Sequence, residues 1–489
     1  MGKNSRKRCG NCRRLQTQVD ELQARLDALS VEFLHLREQL AAARQDSSTS
    51  SKPPSSDIVK PRPAQDAAIG KRSIGGQPGH PKHDRQPFPA EQISRFFVHP
   101  LDACPCCGGR LRRNGDFALV VQQIDIEQPS LRIEQHTSPE YWCSHCERAY
   151  KAAMPLHIAR GGLVGPKLTA LIAYMKGPCH ASYSTIRTFL KDVVGVTISR
   201  GQLNKILKKV SAALAEPYQE LLQALPSEAW LNVDETGHHC QGELWWTWCF
   251  RAELYTLYHI DAHRSAEVLM DILGKEFEGI LGCDYFSAYR RYVRECGIRV
   301  QFCLAHLIRD VKFLTTLPDP RDRRYGEDLR AALKSLFEVF HQRERLGQAE
   351  LQLRLQMARD RVLRVGLAGP ATQHGQNMQK RFREHGAAYF TFVTTPGVEP
   401  TNNLAEQAIR FVVIDRHVTQ GSRSEAGRHF CERIWTVIAT CVQQGKSVHE
   451  YLNEVVEKYF AGQAAPSLLP KDSGKGPARQ RQARRDGKR

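Results

Sequence analysis

Residues 230–261 read WLNVDETGHHCQGELWWTWCFRAELYTLYHID, and this stretch decides the fold of the central part of the chain. The segments WLNVDET, ELWWTWCFRA and LYTLYHID are short and rich in β-branched and aromatic residues, which predicts three consecutive strands. RSAEVLMDILG follows with the apolar spacing of a helix. GILGCDYFSAY and RVQFCLAHLIRDV then each predict a short strand that runs into a helix.

The order strand, strand, strand, helix, strand, helix, strand is that of an RNase H-like α/β sheet, in which the first and fourth strands are neighbours. Asp234 ends the first predicted strand and Asp284 follows the fourth, so the two acids are expected to face each other. Residues 227–315 therefore form the first part of a predicted catalytic core. Asp261 and Asp310 are rival candidates, because an Asp after a strand is often only a turn or cap residue.

Residues 316–398 predict an all-helical insertion, because DLRAALKSLFEVFHQR and LQLRLQMARDRVL carry apolar stripes at helical spacing. The core resumes over 399–462, where Asn402 or Asn403 can cap a helix that contains Glu406. A helix that returns to the sheet edge would place Glu406 beside the two aspartates. Arg410, one turn later, either holds a DNA phosphate or pairs with Glu406.

Three carboxylates in one place suit phosphodiester chemistry. Oxygen ligands can hold two hard divalent cations, Mg²⁺ or Mn²⁺, about 3.5 to 4 Å apart. Such a pair activates water or a 3′-hydroxyl on one side of the phosphorus and stabilises the leaving oxygen on the other. We therefore predict a metal-dependent site made of Asp234, Asp284 and Glu406. His306 in CLAHL either orients a ligand, touches phosphate or is structural.

Two CxxC pairs predict a zinc site within residues 96–158. Cys104 and Cys107 lie in CPCC, and Cys143 and Cys146 in CSHC, with 35 residues between the pairs. Four thiolates complete the tetrahedral shell that Zn²⁺ prefers, and the runs LVVQQIDI and LRIEQH predict strands of a small zinc-binding β module. Cys106 is a competing ligand, and four buried free thiols are the alternative.

Residues 160–226 predict a helical, helix-turn-helix-like DNA-binding region. The segment YSTIRTFLKDVVG is followed by a short break and then by a second helix, which Ser199 caps. A plain helical hairpin is the alternative. The polar residues of the second helix that would meet a DNA groove and its phosphates are Arg200, Gln202, Asn204, Lys205, Lys208 and Lys209.

The N-terminal region predicts self-association. Apolar residues recur at steps of four and three from Leu15 to Leu40, so residues 13–45 are predicted to form a parallel coiled coil. A helix packed on its own protein is the alternative. Residues 46–95 are rich in Ser, Pro, Gly and Lys and predict a flexible basic linker, while 463–489 predict a basic disordered tail.

The composition favours a nucleic-acid partner. The chain has 70 Lys and Arg against 52 Asp and Glu, a formal charge of +18. No stretch approaches the roughly 20 apolar residues that span a bilayer, which predicts a cytoplasmic protein with no membrane partner. The odd count of 15 cysteines in a reducing compartment indicates metal binding or burial. Altogether the sequence predicts a multidomain α+β protein.

The strings VDETG, CDYFSAY, CLAHLIRD and TNNLAEQAIR, preceded by SSKPPSSD, GGQPGH and CPCCGG, resemble the transposases of bacterial insertion sequences in the insertion-sequence-sixty-six family. The resemblance covers nearly the whole chain. It implies a DDE enzyme with a leader helix and a zinc-binding module, in which Asp234, Asp284 and Glu406 are the three acids. It also implies small accessory proteins of the same element as partners.

By this resemblance the protein binds the ends of its element, nicks them to expose 3′-hydroxyls and joins these to target DNA. It would be associated with the bacterial nucleoid when bound to DNA. Two alternatives stay open from the residues alone. One is a zinc-containing DNA-binding regulator with an inactive nuclease-like domain, and the other is a nuclease that hydrolyses DNA without joining it.

Overall fold

The structure is a computed structural model that describes residues 10–45, 87–93, 96, 103, 106–110, 122, 131–145 and 147–469. The chain divides into two compact units, one made of Met1–Pro61 with His136–Arg489 and the other of Arg62–Gln135. Among the helices described, none combines the length and the apolar character needed to cross a membrane.

The larger unit mixes helices and strands. Its strands are β1 Glu140–Cys143, β2 Arg148–Lys151, β3 Trp230–Cys240, β4 Glu243–Arg251, β5 Thr256–Asp261, β6 Ile280–Cys283 and β7 Arg299–Phe302. Its helices are α1 Gly10–Ala43, α2 Leu156–Gly161, α3 Pro166–Lys176, α4 Tyr183–Phe189, α5 Arg200–Ala213, α6 Ala215–Ala224, α7 Ala266–Leu273, α8 Ser287–Cys296, α9 Leu304–Leu314, α10 Pro320–His341, α11 Gln348–Leu367, α12 Gln373–His385, α13 Thr391–Thr394, α14 Asn403–Thr419, α15 Glu425–Gln444 and α16 Val448–Ala461.

Strands β3 to β7 form one sheet in the order β5-β4-β3-β6-β7. A strand is present in each of the five predicted segments, and the first and fourth of them, β3 and β6, are neighbours. The pairs β3/β4 and β4/β5 are antiparallel, whereas β3/β6 and β6/β7 are parallel. Asp234 and Asp284 therefore both lie just beyond the point where the parallel pairing of β3 and β6 ends.

Strand β3 does not end at Asp234, as the sequence predicts, but continues to Cys240. The reason is the hairpin with β4, whose ladder runs as far as Cys240↔Glu243. The parallel ladder with β6 ends earlier, at Asn232↔Gly282. Asp234 is thus a mid-strand residue that lies just beyond the end of the parallel pairing.

Helix α15 closes the outer edge of the sheet. The backbone N–H groups of Thr256, Tyr258 and Ile260 donate to Thr440 Oγ1 (3.2 Å), Thr436 Oγ1 (3.0 Å) and Glu432 Oε1 (2.8 Å). Every second strand residue meets every fourth helix residue, because both steps advance by about 6 to 7 Å. The amides of this edge strand are therefore paired instead of being left open to another chain.

The helices outside the sheet fall into two groups. Helices α10 to α13 occupy residues 320–394, inside the predicted insertion, and α10 packs against α9 and α11. Helices α15 and α16 pack against α3 and α5 of the predicted DNA-binding region. That region and the sheet therefore belong to one compact unit, whereas the sequence predicts them as separate domains.

Two predicted boundaries are corrected. The tail was expected to begin at residue 463, but the chain is packed as far as Leu469: Leu468 is buried, and the Ser467 hydroxyl donates to Glu220 (2.7 Å). Residues 470–489 lie outside the described part. In the predicted linker, Ala90–Gln92 form a short 3₁₀ helix, and Phe88 exchanges two backbone hydrogen bonds with the Gln122 side chain (2.7 and 3.0 Å). Residues 46–86 are outside the described part.

One predicted strand of the zinc-binding module is wrong. Residues 131–136, LRIEQH, form no strand, and Ile133 is 89% exposed, so this run has no packing surface for its apolar side chains. The strands observed are β1 and β2, an antiparallel hairpin that brackets the second CxxC pair. The predicted strand LVVQQIDI lies outside the described residues, apart from Gln122.

Candidate active site

The sheet brings Asp234 and Asp284 side by side. The register of β3 and β6 pairs each residue of β3 with the residue 50 positions later, from Trp230↔Ile280 to Asn232↔Gly282. Continued by two residues, this register sets Asp234 opposite Asp284, and neighbouring strands are about 4.8 Å apart. Both side chains are partly buried. The register therefore brings the two aspartates, which the sequence predicts to face each other, to the same level just beyond the parallel pairing of β3 and β6.

The third acid arrives on α14, and Asn402 fastens the start of that helix to the sheet. Its Nδ2 donates to the Val233 carbonyl (2.7 Å), and its Oδ1 accepts from Asn232 Nδ2 (2.8 Å). Asn402 is the N-cap residue, one of the two candidates, but its side chain makes no capping bond because it is used by the sheet. Glu406 lies in the first turn of α14, which packs against β3.

The raised pKa values of Asp234 and Asp284 indicate that both aspartates lie in a buried, acidic environment. Burial raises the pKa of Asp234 well above its usual value, and the charges of Glu235, Asp284 and Glu406 raise it further. Burial also raises the pKa of Asp284 to about 7, with the charge of Glu235 as the next cause. Carboxylates that resist ionisation in this way gain from a bound cation, since a metal ion binds their charged form.

The donor set fits a hard divalent metal. Oxygen ligands are those that Mg²⁺ and Mn²⁺ prefer, and Glu406 Oε1 is a buried carboxylate oxygen that lacks a hydrogen-bond partner among the described residues. A buried acceptor without a partner is stabilised by a nearby cation or by a hydrogen-bond donor. The residues that could hold divalent ions at this site are therefore Asp234, Asp284 and Glu406.

Glu235 is a fourth acid that sequence reasoning missed. Arg264 donates to its Oε1 from Nε (2.9 Å) and Nη2 (2.6 Å), and the Tyr289 hydroxyl donates to its Oε2. The Arg264 guanidinium in turn stacks over the rings of Phe286 (3.9 Å) and Trp246 (4.6 Å). Glu235 is thus fixed by its neighbours through an ion pair with Arg264. Its position next to Asp234 in VDET was the only signal in the sequence.

Glu406 has two basic neighbours on α9. His306 Nδ1 lies 3.6 Å from Glu406 Oε1, and Arg309 Nη2 lies 3.8 Å from Oε2. Burial, followed by the charges of Arg309 and Arg381, lowers the pKa of His306 to about 4, so this imidazole is neutral near pH 7. Cys303 joins His306 and Glu406 in a group whose ligand atoms all lie within 4.8 Å of one another.

The rival aspartates have other partners. Asp261 ends the edge strand β5, where it accepts the His263 backbone N–H (2.7 Å). Asp310 forms an ion pair with Arg381 (2.7 Å), which belongs to the helical insertion. Arg410 is exposed and makes no ion pair with Glu406 among the described residues, where Arg309 is the arginine near that acid. Of the two roles considered for Arg410, contact with phosphate is the one that its exposure favours.

The predicted DNA-binding residues lie on α5, whose start Ser199 caps by accepting the Gln202 backbone N–H (3.1 Å), as predicted. Of the six predicted residues, Arg200, Asn204, Lys205 and Lys208 are exposed, whereas Gln202 and Lys209 are partly buried. The Lys209 ammonium donates to the Gly161 carbonyl (2.7 Å). Lys209 is therefore engaged within the protein, and the other three cations of α5 face outwards.

The predicted zinc ligands fall largely outside the described residues. This applies to Cys104, to Cys146 and to the side chain of Cys143, whose backbone ends β1. Cys107 is exposed and lies in a turn that Gly108 completes with a φ of 69°. A left-handed glycine after a CxxC pair is the geometry of a tight knuckle.

Comparisons with known proteins agree with this architecture. A family model described as "Transposase IS66 family", of DDE type, matches residues 161–429, more than half of the chain. A second, described as "zinc-finger binding domain of transposase IS66", matches residues 102–147 and so includes all four cysteines of the two CxxC pairs. This match supports a structural Zn²⁺. A family of unknown function, DUF6444, matches residues 5–86.

Two similar proteins come from Sinorhizobium fredii. The chain is 24% identical to the uncharacterized protein y4hP over 471 residues, which cover 88% of this chain and 80% of that protein. It is 22% identical to the uncharacterized protein y4qI over 449 residues, which cover 81% of this chain and 78% of that protein. The printed names of these relatives assign them no activity.

The raised pKa of Asp284 predicts an effect of pH on stability. A carboxyl whose pKa is about 7 in the folded state and 3.8 in the unfolded state costs stability as the pH rises through that interval. We expect Asp284→Asn to stabilise the metal-free protein above pH 7 by roughly 1 to 3 kcal/mol, and to have no such effect below about pH 4. Urea unfolding in EDTA across this pH range measures the difference.

Asp261→Asn is the matched control. Hydrogen bonds from His259 are the largest cause that lowers the pKa of Asp261 to about 2, so its loss should destabilise the protein at neutral pH. If both variants lost stability at pH 8, Asp284 would not be under electrostatic strain.

Proposed function

The chain belongs to the Transposase IS66 family, and on that premise we propose that it binds the ends of an insertion sequence, nicks them and joins the released 3′-hydroxyls to target DNA. The observation that supports the proposal most is the raised pKa of Asp234, which burial increases first and the charges of Glu235, Asp284 and Glu406 increase further. The strand order β5-β4-β3-β6-β7 supports an RNase H-like fold for this core.

The catalytic role proposed for the three acids is to hold Mg²⁺ or Mn²⁺. Bound there, the ions supply Lewis acidity that activates the attacking oxygen and stabilises the leaving oxygen. The chain itself supplies rigidity: the β3/β6 register fixes the two aspartates, and Asn402 ties the start of α14 to the carbonyl of Val233. Glu235 is kept from competing for the ions by Arg264 and Tyr289.

Both proposed reactions are displacements at phosphorus. In nicking, a water oxygen bonds to the phosphorus at the element end, and the bond from phosphorus to the 3′-oxygen breaks, leaving a 3′-hydroxyl. In joining, that 3′-oxygen bonds to a target phosphorus, and a target 3′-oxygen leaves. The two steps have the same charge development, so one set of carboxylates can serve both.

DNA contact is proposed for the exposed face of α5. Arg200, Lys205 and Lys208 place three positive charges on one helix that follows a short turn after α4 and its π-helical end, Leu190–Val194. A helix that packs one face on the protein and exposes a basic face can contact the phosphates of a DNA groove. Arg410 on α14, exposed one turn beyond Glu406, is proposed as a further phosphate contact near the reacting strand.

Self-association through α1 is proposed from the exposure of its apolar stripe. Leu15, Leu22, Leu29 and Leu36 are each more than half exposed along this 34-residue helix. The alternative, in which the stripe packs on its own protein, would require these leucines to be buried. A second copy of the helix is the partner that such a heptad pattern fits best. Small accessory proteins of the same element remain a proposal from the family resemblance.

Structural zinc is proposed to be held by Cys104, Cys107, Cys143 and Cys146. The spacing of the two pairs gives four sulfur donors, and the zinc-finger model covers all of them. The ion would be needed because, among the described residues of this module, the strands β1 and β2 are exposed. Its role there is to stabilise the fold of the module.

The triad is tested by conservative substitution. Asp234→Asn, Asp284→Asn and Glu406→Gln should each lower metal-dependent nicking and strand transfer by at least about a thousandfold, because each removes a charged metal ligand. Binding to element ends, measured by gel shift in EDTA, should change by less than about threefold. Asp310→Asn, which removes an acid outside the triad, is the control.

Each outcome separates the candidates. Wild-type protein that binds ends but neither nicks nor joins them in Mg²⁺ or Mn²⁺ would favour the DNA-binding regulator. Nicking without joined products from precleaved ends would favour the nuclease. Unchanged activity in Asp234→Asn would remove that residue from the site.

The role of α5 is tested by charge removal. Lys205→Ala should weaken binding to element ends about 3- to 10-fold and reduce the slope of log affinity against log salt by about one, because one phosphate contact is lost. Lys334→Ala, which removes an exposed charge from α10 in the insertion, is the matched control. Equal losses in the two variants would assign the effect to net charge alone.

The coiled coil is tested by oligomeric state. Leu22→Lys should convert the self-associated protein into monomers, because it places a charge in the apolar seam. Val31→Lys is the control, since Val31 is 68% exposed on the same helix but lies off the stripe. Sedimentation equilibrium distinguishes the two. A wild-type protein that is monomeric at micromolar concentration would contradict the proposal.

A further inference from the structure

The beginning of α9, Cys303-x-x-His306, connects the strand of the second acid with the loop of the third. The Cys303 backbone N–H donates to the Cys283 carbonyl (2.8 Å), directly before Asp284. The Asn402 backbone N–H donates to Cys303 Sγ (3.2 Å), four residues before Glu406. The Leu304 N–H donates to the Pro400 carbonyl (3.0 Å). This turn therefore sets the distance between two acid-bearing segments.

One turn into α9, His306 faces the carboxylate of Glu406. Only 7% of His306 is exposed, and its Nδ1 lies 3.6 Å from Glu406 Oε1. Neither atom has a hydrogen-bond partner among the described residues, although both are buried. A buried donor and a buried acceptor that face each other in this way need only a shift of about 1 Å to reach bonding distance.

The chemistry of the pair fixes the direction of that bond. A charged carboxylate only accepts hydrogen bonds, so it selects the imidazole tautomer with the proton on Nδ1. A bond to Oε1 occupies the buried oxygen and leaves Oε2 as the oxygen available to a metal. Arg309 Nη2, 3.8 Å from Oε2, supplies a countercharge on that side, and a divalent ion can replace it.

We propose that His306 is a positioning residue, whose Nδ1–H donates to Glu406 Oε1 and aims Oε2 at the divalent ion held with Asp234 and Asp284. This inference rests on the proposed function and names a residue that determines its metal affinity. Partners that orient a ligating carboxylate change metal affinity by about 10- to 100-fold when removed.

A competing arrangement is a metal ion bound by Cys303, His306 and Glu406 themselves. Thiolate, imidazole and carboxylate are all zinc ligands, and their atoms lie close together here. The positioning role is favoured because Cys303 Sγ already accepts the Asn402 N–H. His306 Nδ1 and Glu406 Oε1 are also buried atoms, and a hydrogen bond between them satisfies both without a further ligand.

The test is Mn²⁺ binding to the full-length protein, followed by the electron paramagnetic resonance signal of free Mn²⁺. We expect Asp234→Asn to abolish Mn²⁺ binding at this site. His306→Ala should weaken the same binding by about 10- to 100-fold. His306→Asn should stay within about threefold of wild type, because its amide nitrogen can take the place of Nδ1 as donor. Zinc content, measured in the same samples, should be equal in all of them.

His238→Ala is the control for loss of a buried imidazole. His238 is 1% exposed and bonds Ser422 (3.1 Å), so its removal costs stability without touching the three acids. Wild-type Mn²⁺ affinity in His306→Ala would overturn the positioning role and leave the triad standing. Loss of one zinc equivalent in both His306→Ala and Cys303→Ala would also overturn the positioning role. Equal Mn²⁺ binding by wild type and Asp234→Asn would overturn both proposals.

Discussion

The constraint on which this site depends is the register of two parallel strands. The strands β3 and β6 pair in parallel up to Asn232 and Gly282, and the same register, continued by two residues and so past the end of β6, brings Asp234 opposite Asp284. Two carboxylates held that close and partly buried cannot both ionise at low cost, and burial with the neighbouring charges accordingly raises both pKa values. The fold thus maintains an electrostatic strain that a divalent cation would relieve. Strain of this kind is expected where function and stability oppose each other.

The surrounding residues keep the acids in place despite their repulsion. The Asn402 side chain donates a hydrogen bond to the backbone of β3. Cys303 is hydrogen-bonded to the backbone of both Cys283 and Asn402, and α14 carries Glu406 towards the aspartates. Glu235, the nearest other acid, is held in place by two Arg264 hydrogen bonds, and after burial its charge is the next cause that raises the pKa of both aspartates. Helix α15 pairs with the edge strand β5. Side-chain hydrogen bonds between residues distant in sequence thus stabilise the core. The family model of the Transposase IS66 family matches residues 161–429, which include this region of the chain.

Much of the core could be predicted from the sequence because its strands are short, apolar and well separated by turns. The five strands, the cap at Ser199 and the helical character of residues 316–398 all follow from local patterns. What depends on tertiary contacts could not be predicted. The extension of β3 to Cys240 needs the β4 hairpin, and the use of the Asn402 side chain by the sheet needs Val233 beside it. The buried pairing of Glu235 and the packing of Leu468 likewise depend on residues far along the chain. The family resemblance supplied the order of the three acids, which spacing alone left among rivals.

The most direct test of the central claim is anomalous X-ray diffraction at the manganese edge from crystals of the full-length protein grown with Mn²⁺ and end DNA. We predict one or two anomalous peaks within about 2.0 to 2.4 Å of carboxylate oxygens from Asp234, Asp284 and Glu406 together. Peaks that involve the two aspartates while Glu406 points away, or no peak at this edge of the sheet, would contradict a shared metal site.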